Sequence, residues 1–432
     1  MSLTAARYDV AAIRAHFPSL SRELDGRPIA YLDGPAGTQV PLECIDAIAA
    51  YLRTSNANLH GHFATSAETE SMLQDVHAAG ADFVGATSGE EIAFGANMTT
   101  LTFAVSRAIG RTLSPGDEIV VTRLDHDGNV APWLALEERG AVIRWVEIQP
   151  DDCTLDLDGL AAVLGPRTRV VAIGMASNAV GTINPVRRIA DMVHTTGARL
   201  WVDAVHAAPH LPIDVVSLDA DYLVCSPYKF YGPHLGMLWG RRGLLETLPA
   251  YKVRPAPDEL PGRWETGTQS HEALAGLLGT FRYLEWLGVA QGRATGGQEA
   301  ADHGRASRMG RAGRLRAALG AIRDYERNMT LALLEGLASI SGLAVHGITE
   351  PERVDERCPT VGFTMAGHAP AEIAAFLGAR GIATWDGDYY AHELIRAIGL
   401  AETGGMLRVG LVHYNTVAEI DRLVEALQEL AG

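Results

Sequence analysis

A chain of 432 residues, 47% hydrophobic and 20% charged, has enough apolar material for a substantial core and two domains, which excludes a disordered or fibrous protein. Its 36 Lys+Arg against 52 Asp+Glu leave a net charge of -16, a field that repels polyanions and argues against nucleic acid or an anionic membrane as the main partner. Four scattered cysteines, Cys44, Cys153, Cys225 and Cys358, form no CxxC pair and indicate neither a zinc site nor a disulfide framework, so no metal is expected.

The N-terminus has no basic-then-apolar leader, and no apolar run approaches the ~20 residues of a membrane helix. With reduced cysteines, this predicts a cytoplasmic protein without a membrane partner. A helix over Val10 to His16 leads into Leu32-Asp33-Gly34-Pro35-Ala36-Gly37-Thr38, where Gly and Pro impose an irregular backbone that can lie against a ligand. Ala36 is a candidate substrate contact there. Asn97-Met98-Thr99-Thr100 precedes a helical pattern from Leu101 to Ile109, so free N–H groups and the hydroxyls of Thr99 and Thr100 meet at a helix start suited to phosphate.

Apolar runs then alternate with helical patterns: Glu118 to Thr122, Val142 to Ile148, Arg169 to Gly174, Leu200 to Val202, Tyr222 to Cys225 and Gly236 to Trp239. Runs buried on both faces and separated by helices predict a mostly parallel sheet in an α/β domain. Candidate polar residues follow several of these strands. His126 follows the first, Asn178 the third and Lys229 the fifth, with Ser226 just before Lys229; Asp203 ends the fourth. Gln291 to Gly320 is rich in Gly, Ala and Arg and reads as a connection with a solvated basic face. A helix over Ala321 to Ile340, strands near Val345 and over Val361 to Thr364, and a helix over Val417 to Leu430 predict a smaller α+β domain.

Each candidate has an ordinary reading by itself: Lys229 on the surface, Asp203 as a helix cap, His126 as a polar surface ring, Asn178 in a turn, Arg408 in a peripheral ion pair. Together they match the needs of pyridoxal 5'-phosphate (PLP) chemistry: a lysine for an imine, an acid at the pyridine nitrogen, a flat ring against the cofactor, an amide for its phenolic oxygen and donors for its phosphate. A lysine among apolar and aromatic groups has a lowered pKa and becomes a nucleophile toward an aldehyde. Arg408 can pair bidentately with a substrate α-carboxylate.

The order Thr99/Thr100, His126, Asn178, Asp203, Ser226, Lys229, Arg408 resembles the class V aminotransferase family, in particular its cysteine desulfurase and selenocysteine lyase branch. The resemblance starts at Ile13 to Pro18 and Ala30 to Asp33, passes through Asn178 to Pro185 and Lys229 to Pro233, and ends at His413-Tyr414-Asn415-Thr416. It implies PLP fold type I: an N-terminal segment 1–30 packed on the small domain, a large α/β domain 31–285 and a small α+β domain 286–432. It further implies a homodimer with shared active sites. Lys229 then carries the cofactor, Asp203 meets its ring nitrogen, His126 stacks on the ring, Asn178 and His206 face the phenolic oxygen, Ser226 serves the phosphate, Thr268 reaches the phosphate of the neighbouring subunit, and Arg408 anchors the substrate carboxylate.

Two departures stand out. Desulfurases of this branch carry a persulfide-forming cysteine on a loop shortly before the anchoring arginine, whereas this chain reads Thr384-Trp385-Asp386-Gly387-Asp388-Tyr389-Tyr390-Ala391-His392, with Tyr390 near the cysteine position. A phenol cannot accept sulfur as a thiolate does. Tyr228 also stands where the family often has His. The expected activity is therefore a carbon–sulfur or carbon–selenium β-lyase acting on an amino-acid substrate without a persulfide cysteine, with Tyr389, Tyr390 and His392 shaping the pocket. An aminotransferase, epimerase or decarboxylase on the same scaffold is the enzymatic alternative, and a PLP-binding regulatory protein the non-enzymatic one.

Overall fold

A computed structural model describes residues 8–294 and 309–432. Its main sheet has seven strands, β1 (Ile92–Gly95), β2 (Glu118–Thr122), β3 (Val142–Val146), β4 (Thr168–Gly174), β5 (Arg199–Asp203), β6 (Tyr222–Cys225) and β7 (Gly236–Gly240), in the order β1-β7-β6-β5-β4-β2-β3. β2 to β6 pair in parallel, and β7 runs antiparallel to both β6 and β1. Val120, Val171, Leu200, Val202 and Leu223 are fully buried, as expected of strands covered by helices on both faces. Six strands fall where the apolar runs predict them. β1 was not anticipated: its four residues carry no alternation, and its only partner, β7, lies about 140 residues away in sequence.

The second sheet comprises β8 (Leu343–His346), β9 (Thr360–Met365), β10 (Trp385–Gly387) and β11 (Met406–Gly410), all antiparallel, in the order β8-β9-β11-β10. Long helices over Arg311–Ala338 and Val417–Ala431 cover it, burying Leu333, Leu337, Phe363, Leu407, Ile420 and Leu423 in one cluster. Ala30–Tyr31 pairs in parallel with Ile382–Ala383 in a separate two-stranded sheet, and Asp33 bridges Gly410 of β11, so the segment entering the Pro35 turn is tied to the small domain. Further upstream, Phe17 sits among the rings of Tyr231, Tyr283 and Tyr414 in the main core. A helix over His271–Ala294 runs unbroken across the junction expected near residue 285.

Within the Arg-rich stretch, residues 295–308 lie outside the described residues. Beyond them Arg311 pairs with Asp75, Arg314 with Glu285 and Arg316 with Asp214, and none of the three borders the cavity described below. Among the described residues no helix is long and apolar enough to cross a membrane.

Candidate active site

Parallel strands bring their carboxyl ends to one edge, and the residues following them share that edge. Asp125 and His126 follow β2, Asn178 follows β4, Asp203 closes β5, and Ser226 to Lys229 follow β6. The second sheet faces this edge with the β10 segment, the loop to Tyr390 and Arg408 of β11, while Pro35 and Ala36 supply a further wall. Side-chain alternation along β11 buries Leu407 and Val409 in the small core and turns Arg408 the other way. The cavity between these walls measures about 540 Å³. Two glycines permit its walls to close: a Cβ on Gly410 would meet the Pro35 ring at 2.1 Å, and one on Gly128 would meet Thr99 Oγ1 at 2.8 Å and His126 Nδ1 at 3.0 Å.

Electrostatics at this edge follow from burial. Burial pulls the Lys229 amine down to about 7, assisted by the Arg408 charge and opposed by Asp203 and Asp33. Nζ donates to Pro35 O and lies 4.8 Å from the Tyr228 ring centroid. Asp203 is pushed up to about 7 by burial, against a hydrogen bond to Oδ1 from Val205 N. Beside it, Asp125 is pushed up to about 8 by burial; its two oxygens accept from Gly174 N and Thr122 Oγ1. His126 is drawn down to about 4 by burial and by the Lys229 and Arg408 charges, which leaves a neutral ring at pH 7. Burial also lowers His206, whose Nε2 has no protein partner, and pulls the Arg408 guanidinium down to about 10.

The loop after β10 adopts an uncommon backbone. Tyr389 and Tyr390 are consecutive non-glycine residues at φ 55° and 59°, each costing roughly 1–2 kcal/mol. Several contacts over-determine it. Tyr390 N donates to Asp388 Oδ1 at 3.0 Å, Asp127 N to Tyr390 O at 2.6 Å, and Asn178 Nδ2 to Tyr389 O at 2.9 Å. The two side chains part company: Tyr389 is buried, while Tyr390 is 71% exposed, with its ring centroid 5.4 Å from that of His126.

Of the residues singled out from sequence, Ala36, Thr99, His126, Asn178, Asp203, His206, Ser226, Lys229, Tyr389, Tyr390 and Arg408 all border the one cavity. Three do not. Thr100 is exposed and gives both its N–H and its hydroxyl to Asn97 Oδ1, so it completes the helix cap instead of facing the cavity. Thr268 is exposed on the Glu265–Gln269 loop, and His392 is exposed with Nδ1 3.6 Å from Asp388 Oδ2. Sequence reasoning passed over Asp125, although its position at a strand end beside His126 was a usable signal, and over Trp385, Asp386 and Asp388 as cavity walls.

Strand order, the edge on which the polar groups gather and the small sheet closing over it are those of PLP-dependent enzymes of fold type I. The chain belongs to the class-V aminotransferase family, whose sequence profile matches residues 30–303 and 314–423. It is 33% identical to a cysteine desulfurase of Pectobacterium atrosepticum, covering 98% of each chain. A probable cysteine desulfurase of Mycolicibacterium paratuberculosis is 32% identical over 98% of this chain, which spans only 58% of that longer protein. Among solved structures, an apo cysteine desulfurase from Thermococcus onnurineus superposes with a TM-score of 0.83 at 25% identity, covering 98% of both chains. The Escherichia coli cysteine desulfurase CsdA superposes with a TM-score of 0.80 at 25% identity, covering 98% of this chain and all of the other.

Proposed function

We propose that the protein holds PLP on Lys229 and cleaves the Cβ–sulfur or Cβ–selenium bond of an amino-acid substrate by elimination, without passing sulfur to a protein thiol. One observation carries this reading: the cavity that gathers Lys229, Asp203, His126 and Arg408 has no cysteine in its wall, and Tyr390 stands near the expected cysteine position. Every cysteine is buried elsewhere. Burial pushes the Cys44 and Cys153 thiols up to about 11 and those of Cys225 and Cys358 higher still, so none is a thiolate at neutral pH. Relatives that are cysteine desulfurases support the carbon–sulfur chemistry.

The donor set fits the cofactor. His206 Nε2 and Asn178 Oδ1 are buried without a protein partner. Asp203 Oδ1 accepts from Val205 N, while among the described residues no protein donor reaches its other oxygen, and Thr99 borders the cavity at a helix start where Met98 N donates to Ser226 Oγ. Lys229 would hold the group covalently, Asp203 would meet its ring nitrogen, His126 its face, Asn178 and His206 its phenolic oxygen, and Thr99 and Ser226 its phosphate. Bound PLP supplies an electron sink for negative charge at the substrate Cα. Arg408 binds the α-carboxylate, and Lys229 Nζ, with a proton affinity near neutrality, takes and holds the α-proton.

Absence of a thiolate acceptor separates two outcomes. Leaving alanine requires sulfur to depart as the zero-valent element, which needs an acceptor; elimination expels sulfide, and with water yields pyruvate and ammonia. The second requires no protein thiol. The active species is a symmetric homodimer in which exposed Thr268 completes the phosphate site of the other subunit, and four free cysteines suit a cytoplasmic location.

The test is direct. Purified protein is expected to be yellow, to lose its band on borohydride treatment and to carry phosphopyridoxyl mass on the Lys229 peptide. A screen of cysteine, selenocysteine and cysteine conjugates by mass spectrometry is expected to give pyruvate. Label on another lysine would defeat the cofactor assignment; alanine with a trapped persulfide, or turnover only with a keto acid, would defeat the elimination.

A further inference from the structure

Arg408 is a buried cation, and among the described residues no carboxylate forms an ion pair with it. Its Nη1 donates to Asn178 O at 2.8 Å, and its guanidinium carbon lies 4.2 Å from the ring centroid of Tyr389. Tyr389 in turn donates its hydroxyl to Met406 O, two residues before Arg408 on the same strand. Its carbonyl accepts from Asn178 Nδ2 at 2.9 Å. The three residues thus close a circuit: ring to guanidinium, guanidinium to Asn178 carbonyl, Asn178 amide to the carbonyl of the residue that bears the ring. A planar cation held on an aromatic face and by one edge has its remaining N–H groups directed by those two contacts.

Resting on the assignment of Arg408 as carboxylate anchor, we propose that Tyr389 is a positioning residue: it orients the Arg408 guanidinium toward the cavity and so makes the site select ligands that carry an α-carboxylate. Tyr390, next in sequence, takes no part, since its ring lies on His126 at the mouth. Tyr389→Phe keeps the π face and loses only the hydroxyl's contacts with Met406 O and Trp385 O. Tyr389→Leu fills much of the space but offers neither, and Tyr389→Met does the same with a more adaptable side chain should leucine unfold the protein.

The probes are L-alanine and ethylamine, which differ by the carboxylate, titrated calorimetrically into cofactor-loaded protein. For Tyr389→Leu or Tyr389→Met, alanine is expected to bind about tenfold more weakly while ethylamine stays within about twofold of its parent value, the loss anticipated for a desolvated cation–π contact. Tyr389→Phe is expected to keep the parental alanine-to-ethylamine ratio. A general structural role would weaken both ligands alike, and that result, or an unchanged ratio in the leucine and methionine variants, overturns the proposal. Arg408→Gln separates the two levels: if it abolishes the preference while the Tyr389 variants keep it, only the positioning role falls. If Arg408→Gln keeps the preference, the anchor assignment falls and the proposal with it.

Discussion

Lys229 is expected to titrate far below an ordinary lysine. With the usual value of 10.5 only about 0.1% of an amine is unprotonated near pH 7.5, whereas at about 7 roughly three quarters is, a gain of roughly 700-fold in nucleophile. The causes are burial first and the Arg408 charge second, so the variants have predictable signs. Arg408→Gln removes a positive neighbour and is expected to move the titration upward. Asp203→Asn removes a negative one and is expected to move it downward. Competitive acetylation of cofactor-free protein with trace acetic anhydride, read as the mass of the Lys229 peptide from pH 5 to 11, measures this directly. Labelling should rise through pH 7 and level off above about pH 8. Because the folded state loses its proton before the unfolded chain does, the site lowers stability most below about pH 7, and that deficit fades as pH approaches 10.5. Lys229→Met is therefore expected to raise the Tm of cofactor-free protein at pH 6 and to leave it nearly unchanged at pH 11. Labelling that keeps rising to pH 10.5, or variants that shift in the same direction, would refute the argument.

Asp203→Asn is expected to retain cofactor while losing turnover on the order of 100-fold or more, the scale of a broken buried charge pair; absorbance and steady-state kinetics on the folded variant report both, and unchanged kinetics would remove Asp203 from its role. Replacing all four cysteines by Ala or Ser is expected to leave activity within a few-fold while lowering stability by about 1 kcal/mol per buried site. Loss of activity traced to a single cysteine, with a persulfide trapped there in the parent, would restore sulfur transfer to a protein thiol. Mixing inactive Lys229→Ala and Thr268→Ala subunits is expected to restore activity in heterodimers, because one of the two sites then holds both native residues; failure of every mixture, with a fully active monomer in hand, would exclude shared sites.

The main sheet and much of the cavity wall were legible in the chain. β2, β4, β5 and β6 announce themselves as short apolar runs because both their faces are covered, unlike the partly exposed edge strand β3, and a parallel sheet sends whatever follows each strand to one edge. His126, Asn178, Asp203, Ser226 and Lys229 could therefore be grouped by position alone, although they span more than a hundred residues. The missing thiol was equally plain, since a residue type that is absent from the loop cannot be supplied by folding. Hidden until the chain folded was everything set by contacts between distant segments. Pairing of β1 with β7 was invisible because four residues carry no period of their own. Thr100 looked equivalent to Thr99 until the helix cap claimed its hydroxyl. Tyr389 and Tyr390 were indistinguishable neighbours in sequence; left-handed backbone at both positions turns one inward beneath Arg408 and the other outward over His126. Local pattern determines which segments are strands and where their ends lie, whereas the direction of a side chain in an irregular loop depends on donors and acceptors from several elements, which only the tertiary structure brings together.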